Sequence, residues 1–116
     1  MKQIEAADLH INEAQFQQQI IDLARNLGWK IAHFRPAMTS KGYRTPVQGD
    51  GKGFPDCVIV GRNRVIIAEL KSEKGTVSKE QQDWLNRFST CQGVETYVWK
   101  PSDIDEILKV LSEVCE

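Results

Sequence analysis

The chain has 116 residues, of which 41% are hydrophobic and 27% charged, and its formal net charge is -1. This length suits one domain with a single core, and the composition excludes a disordered or fibrous chain. The longest apolar runs are too short to span a membrane and no secretory signal opens the sequence, so we expect a soluble intracellular protein, with residues 1–116 as one domain.

The first predicted element is a helix in NEAQFQQQIIDLARNLGW. Asn12 can cap its N-terminus, and Gly28 lies where a helix would stop. Apolar residues recur at helical spacing and predict a buried stripe, made of Phe16, Ile20, Leu23, Ala24 and Leu27. Gln17 lies one turn after Glu13 and could share its face as a DNA or water contact, or the row of glutamines could simply lie on the surface.

A short strand and a long loop follow the helix. KIAHFR predicts a strand from about Trp29 to Arg35, which Pro36 ends. Residues 36–53 carry two prolines and four glycines without sustained periodicity, which predicts a loop. Residues 25–52 contain six cations and one anion, so the segment could face phosphate, although a solvated loop with incidental lysines explains the charge equally well.

Two segments rich in Val and Ile, FPDCVIV and RVIIAELK, predict an antiparallel hairpin that turns at residues 61–63. Asp56 and Glu69 are about equally far from this turn, so we expect their carboxylates to meet at one end of the hairpin. Alternate residues of a strand share a face. Glu69 and Lys71 should therefore project together while Leu70 turns into the core.

The remaining sequence predicts a helix, a strand and a final helix. SKEQQDWLNRFSTCQG has Ser78 as a cap and Gly93 after its end, VETYVWK reads as a strand, and SDIDEILKVLSEVCE is capped by Ser102. A helix joins the strand of Glu69 to the strand at Val94, so the two should be parallel with a right-handed crossover. We expect an α/β fold in the order α-β-β-β-α-β-α, with helices flanking a mixed sheet.

The paired carboxylates of the hairpin would repel each other and would be costly to desolvate. A divalent cation between them removes both penalties, and oxygens from Asp56, Glu69 and the Leu70 carbonyl suit Mg²⁺, for which Mn²⁺ should substitute. Such an ion would activate water at a phosphate, and Lys71 could hold that water or stabilise the pentavalent phosphorane-like charge. An alternative stays open, in which Glu69 and Lys71 form an ion pair on a solvated edge and Asp56 is a turn residue.

These residues resemble a known family. GFPD at residues 53–56 and ELK at residues 69–71 are separated by twelve residues, which is similar to the P-D...E-x-K signature of restriction-endonuclease-like nucleases. The G-x-P-D form resembles the virus-type replication-repair nuclease (VRR-NUC) domain. Glu13 on the first helix, LGWKIAHFR and Gln81 on the second helix match further features of that family, so the similarity covers most of the chain.

The resemblance implies a restriction-endonuclease-like fold and assigns roles within it. Asp56 and Glu69 would be metal ligands and Lys71 the catalytic lysine. Glu13 would be a third acid near the metal, and Gln81 would organise the site. Two plainer interpretations remain, in which Glu13 only stabilises the helix dipole and Gln81 is a solvated helix residue.

The resemblance also implies a function, that of a Mg²⁺-dependent DNA endonuclease acting as a homodimer on branched DNA such as Holliday junctions. The setting would be the cytoplasm of a bacterial or phage-infected cell, with no membrane involved. Candidate phosphate contacts precede the Pro-Asp motif, namely Arg35, Lys41, Arg44 and Lys52. The alternatives are a non-specific, flap or nicking nuclease, a non-catalytic DNA-binding module, and an interaction protein that uses the acidic C-terminal helix.

Overall fold

The computed structural model describes residues 11–34, 37–39, 42–44 and 47–113, with the backbone alone for 37–39 and 42–44. The elements in chain order are α1 (Glu13–Asn26), β1 (Lys30–His33), β2 (Ala37–Thr39), β3 (Gly42–Arg44), β4 (Cys57–Val60), β5 (Val65–Leu70), α2 (Lys79–Ser89), β6 (Val94–Trp99) and α3 (Ile104–Ser112). A short 3-10 helix at Pro101–Asp103 precedes α3. No helix within the described ranges is long and apolar enough to cross a membrane.

The main sheet has four strands in the order β1-β4-β5-β6. β4 is antiparallel to both β1 and β5, whereas β6 is parallel to β5. The predicted hairpin and the predicted parallel crossover through α2 are therefore confirmed. So is the α/β class, because helices flank a mixed sheet in an order consistent with a restriction-endonuclease-like fold.

The segment predicted as a plain loop contains a second, small sheet. β2 and β3 pair antiparallel, with Ala37 opposite Arg44 and Thr39 opposite Gly42. The prediction of a loop throughout residues 36–53 was wrong here, because strands of three residues are too short for a period of two to emerge from the sequence.

The first helix begins as its sequence predicts. The Asn12 side chain accepts a hydrogen bond from the Gln15 N–H at 2.8 Å, and the Gln15 side chain accepts one from the Asn12 N–H at 3.0 Å, which forms a capping box. The surface interpretation of the glutamine row is wrong for Gln17, which is buried with Phe16 and Ile20 on the inner face.

The two faces of the sheet are covered by different helices. Alternate residues of β4 and β5, including Leu70, share one core cluster with the apolar side chains of α1 and α3. Glu69 points to the opposite face, as the alternation predicted, and there Gln81 of α2 donates a hydrogen bond to it. The face that carries Glu69 is therefore the face covered by α2.

The predicted cap of the last helix was wrong. Pro101 starts a 3-10 helix, and Asp103 then occupies the N-cap position of α3 without a side-chain cap bond. Ser102 instead donates from its N–H and its hydroxyl to the two oxygens of Glu73, at 3.1 and 2.6 Å. The Ser102 hydroxyl therefore donates to a carboxylate from the segment after β5 and does not cap α3.

Candidate active site

The antiparallel register of the hairpin places Asp56 beside Glu69. Cys57 is paired with Ala68, so one further step along both strands brings the two acids opposite each other. The Asp56 carbonyl accepts from the Phe34 N–H at 2.8 Å and its carboxylate oxygen Oδ2 accepts from the Leu70 N–H at 2.8 Å. Asp56 is therefore held on one side by its backbone and on the other by its side chain.

Glu69 is a buried acid next to the C-terminal end of the apolar strand β5. Its relative exposure is 1%, although carboxylates are rarely buried unless they are paired. Oε1 accepts from Gln81 Nε2 at 3.2 Å and lies 3.9 Å from Lys71 Nζ. Oε2 is also buried, yet it has no hydrogen-bond partner in the part of the chain that the structure describes.

The surroundings of Glu69 favour its protonated form in the absence of a cation. Burial is the largest cause that raises the pKa of Glu69 to about 9, followed by the hydrogen bond and charge of Asp56. Glu13 raises this pKa further, and only Lys71 lowers it. The carboxyls of Asp56 and Glu69 can share a proton. When both are ionised, neither can donate a hydrogen bond to the other. A positive charge between them would allow both to ionise.

The N-terminus of α2 brings Gln81 to this site. Gln81 Oε1 accepts from the Ser78 N–H at 2.8 Å, and the Gln81 N–H donates to Ser78 Oγ at 3.1 Å. Because the cap fixes the amide oxygen, Nε2 is turned towards Glu69. Gly53 makes this approach possible: its φ is +80°, and a Cβ there would lie 2.6 Å from backbone and side-chain atoms of Glu80.

An aromatic cluster fixes the segment before Asp56. The Phe54 ring packs edge-on against Trp84 and Phe34, with centroid distances of 5.0 and 5.4 Å. Trp84 also donates from Nε1 to the Asp50 carbonyl at 3.1 Å. These contacts join the Pro-Asp segment to both α2 and the end of β1, so the position of Asp56 depends on them.

Glu13 and Gln17 approach from the first helix. Gln17 Nε2 donates to Glu13 Oε2 at 3.4 Å, Gln17 is 6% exposed, and Glu13 is exposed. Within the described ranges, no group of three or more His, Cys, Asp and Glu side chains is placed to hold a metal ion. In the structure Asp56, Glu69 and Lys71 therefore lie together, whereas Glu13 does not form a cluster of three acids with Asp56 and Glu69.

The four candidate phosphate contacts fall largely outside the described region. Arg35 and Lys41 lie outside the described residues, and of Arg44 the structure describes only the backbone in β3. Lys52 is exposed. It lines a pocket of about 500 Å³ together with three acids and one further cation, namely Asp50, Glu80, Asp83 and Arg87. This pocket excludes Asp56 and Glu69, and its acids outnumber its cations, so its own charge does not favour a phosphate.

Gln17 and Gly53 were named from the sequence, but their surroundings were predicted only in part: Gln17 does share a face with Glu13, whereas its burial and the approach of Gly53 to α2 were not predicted. Gln17 follows Phe16 and precedes Ile20 by three residues, so helical spacing alone could have placed it on the inner face. Gly53 entered only as part of a motif, because the sequence gives no signal of its approach to Glu80.

The donors present fit a hard divalent cation. The buried, unpartnered oxygen of Glu69 lies in a carboxylate next to a second carboxylate, and both supply the oxygen ligands that Mg²⁺ prefers. In a comparison with models of protein families, residues 3–102 match the VRR-NUC domain. A search of curated proteins finds no significant match. The matched domain implies nuclease-type processing of DNA.

Proposed function

The chain belongs to the VRR-NUC family, and from this premise we propose that it is a Mg²⁺-dependent endonuclease that hydrolyses phosphodiester bonds in DNA. The observation that carries the proposal is the carboxylate of Glu69. It is 1% exposed, and Oε2 accepts no hydrogen bond from any described residue. A buried carboxylate oxygen without a hydrogen-bond partner is costly, and a divalent cation shared with Asp56 would remove that cost.

Asp56 and Glu69 would hold the cation, with the Leu70 carbonyl and Glu13 as further oxygen donors. Gln81 occupies Oε1 of Glu69, and the Leu70 N–H occupies Oδ2 of Asp56. One oxygen of Glu69 is therefore left over for a metal. When bound, Mg²⁺ would lower the pKa of a water ligand and neutralise charge on the phosphate; Mn²⁺ should substitute for it.

Lys71 is the basic side chain at this site. Its side chain is 14% exposed, and its backbone N–H donates to the Trp99 carbonyl at 2.9 Å. The ammonium group is thus carried on the end of a rigid strand and lies beside Glu69. In the proposed reaction Lys71 donates to the attacking water or to a phosphate oxygen, where it stabilises the negative charge that develops.

The proposed substrate is branched DNA, with four-way junctions preferred over flaps and nicked duplexes. We propose that residues 1–116 form one nuclease domain, that two copies act together, and that the enzyme works in the cytoplasm of a bacterial or phage-infected cell. The chain has a net charge of -1, which is low for a protein that binds phosphates. A dimer would double the number of candidate phosphate contacts in the assembly, which are Arg35, Lys41, Arg44 and Lys52 of each copy.

The test uses labelled four-way junction, flap, splayed-arm and linear duplex DNA with Mg²⁺, Mn²⁺ or EDTA. Wild type should cut a branched substrate only in the presence of metal, and Asp56→Asn should not cut it. Asp50→Asn removes one charge from the same segment, outside the site, and should behave as wild type. If wild type binds DNA but cuts none of the substrates, the protein is a non-catalytic DNA-binding module and the proposal is wrong.

A further inference from the structure

Gln17 is a polar residue on the buried face of α1, where the other buried residues are apolar. It is 6% exposed and lies on the inner face of α1 with Phe16, Ile20 and Ala24. Burying an amide costs free energy unless its hydrogen-bonding groups are satisfied. An apolar side chain would serve packing better, so the amide calls for an explanation from its contacts.

The contact that Gln17 makes is with Glu13, one turn earlier. Residues four apart on a helix share a face, and Gln17 Nε2 donates to Glu13 Oε2 at 3.4 Å. Among the described residues this is the only hydrogen bond to the Glu13 carboxylate. The Glu13 side chain is otherwise exposed, so the hydrogen bond from the buried amide is the contact that limits the directions of its carboxylate.

The link between Glu13 and the buried acid Glu69 is electrostatic. The Glu13 carboxylate is among the groups that raise the pKa of Glu69. It nevertheless does not join a cluster of three acids in the described part of the chain. The orientation of Glu13 therefore decides whether its charge acts on the Asp56–Glu69 pair, and orientation is what a hydrogen bond from a buried amide provides.

We propose that Gln17 is a positioning residue that holds the Glu13 carboxylate towards the Asp56–Glu69 pair and thereby strengthens cation binding. The inference rests on the proposed function, because it concerns the same metal site. Gln17 itself touches neither the metal nor the DNA. Its amide donates one N–H to Glu13 and so restricts the directions that this exposed carboxylate can take.

The experiment compares Gln17→Met with a matched control on the same helix. Met has a similar length and no donor, so it suits a buried position. Gln18 is exposed, and its Nε2 donates to Asp22 Oδ1 at 3.0 Å. Gln18→Met therefore removes the same kind of hydrogen bond, between residues four apart, from the solvent face of α1. Direct Mn²⁺ titration by electron paramagnetic resonance gives the affinity without reference to activity.

We expect Gln17→Met to weaken Mn²⁺ binding about 10-fold, the scale seen for partners that orient metal ligands. Gln18→Met should bind Mn²⁺ as wild type does. On branched DNA, Gln17→Met should lower kcat at limiting metal with an unchanged KM for DNA, and a high Mn²⁺ concentration should restore kcat. Melting temperature and circular dichroism verify folding, and Gln17→Leu replaces the Met variant if that variant does not fold.

A double-variant cycle distinguishes positioning from a general effect on the helix. Glu13→Gln should weaken Mn²⁺ binding as much as Gln17→Met, and the combined variant should weaken it no further, because both changes remove one function. Additive effects, or wild-type affinity in Gln17→Met, would overturn the inference. If wild type binds Mn²⁺ but cuts no DNA, the proposed function fails while the affinities still decide the role of Gln17; if it binds no Mn²⁺, both fail.

Discussion

Gln81 joins the cap of its own helix to the buried carboxylate of Glu69. One atom of the amide, Oε1, accepts from the Ser78 N–H at 2.8 Å, and the other, Nε2, donates to Glu69 Oε1 at 3.2 Å. A glutamate at the same position would complete a capping box equally well. A glutamate could not donate a hydrogen bond to ionised Glu69. The amide at this position is therefore explained by its contact with Glu69, because the helix cap alone does not require it.

The first prediction exploits this difference. Gln81→Glu should keep α2 capped but place a third carboxylate against Glu69 and Asp56, and cleavage of branched DNA at neutral pH should fall at least 10-fold, about 1.4 kcal/mol. α1 offers the control, because Gln15 has the same place in its capping box and faces solvent. Gln15→Glu should leave cleavage unchanged, as measured in single-turnover assays; equal losses in both variants would assign the effect to capping.

A second prediction concerns the approach of Gly53 to α2. Gly53→Ala combines a φ of +80° with a Cβ that would lie 2.6 Å from Glu80 and 2.7 Å from the Gln81 N atom. We expect a loss of roughly 2 kcal/mol or more in the free energy of unfolding, together with reduced cleavage as Gln81 shifts. Urea denaturation measures the first effect.

Gly49→Ala is the matched control for that measurement. Gly49 lies in the same segment with a φ of +70°, and a Cβ there would meet nothing within 4 Å. The change should cost only about 1 kcal/mol, for the left-handed backbone alone. Similar losses at both positions would show that the approach of Gly53 to the helix contributes nothing.

A third prediction follows from an ion pair at the other end of the hairpin. Arg64 donates from Nε and NH2 to the two oxygens of Glu95, at 2.7 and 2.6 Å. The hydrogen bond from Arg64 is the main cause that lowers the pKa of Glu95, and the Tyr97 hydroxyl lowers it too. Because the folded pKa lies below the ordinary value of 4.5, the stabilisation exists above that pH and is lost as pH falls through the folded pKa.

The corresponding measurement is the melting temperature of wild type and Glu95→Gln as a function of pH. Wild type should be the more stable protein at neutral pH, and the difference should shrink as pH falls below about 4.5, where the unfolded chain takes up its proton. Raising the salt concentration should also shrink it, since the pair is partly exposed. A difference that does not vary with pH would mean that the charge of Glu95 is not its source.

Much of the fold could be predicted because local signals and tertiary packing agree. The Val and Ile runs of β4 and β5 and the cap at Asn12 specify their elements directly. β2 and β3 could not be predicted, because three-residue strands carry no periodicity. The predicted cap of α3 was wrong because Ser102 lies in the 3-10 helix and its hydroxyl donates to Glu73, a residue far away in sequence.

The sequence predicted the acids of the candidate site better than it predicted the residues that surround them. Equal distances from one turn were enough to bring Asp56 and Glu69 together, since register in a hairpin follows from the turn. The burial of Gln17 was hidden by neighbouring exposed glutamines. Whether Glu13 reaches the metal depends on side-chain directions that a sequence does not contain.

The most direct test of the central claim compares wild type with Glu69→Gln, with and without Mg²⁺, by melting temperature and DNA cleavage. The variant removes a carboxylate that is 1% exposed, so without metal it should be at least as stable as wild type. Mg²⁺ should raise the melting temperature of wild type, as a ligand of the folded state does, and support cleavage of branched DNA; neither effect should occur in Glu69→Gln. A wild type that Mg²⁺ neither stabilises nor activates, or a variant that responds as wild type does, would contradict the claim that Glu69 holds a catalytic cation.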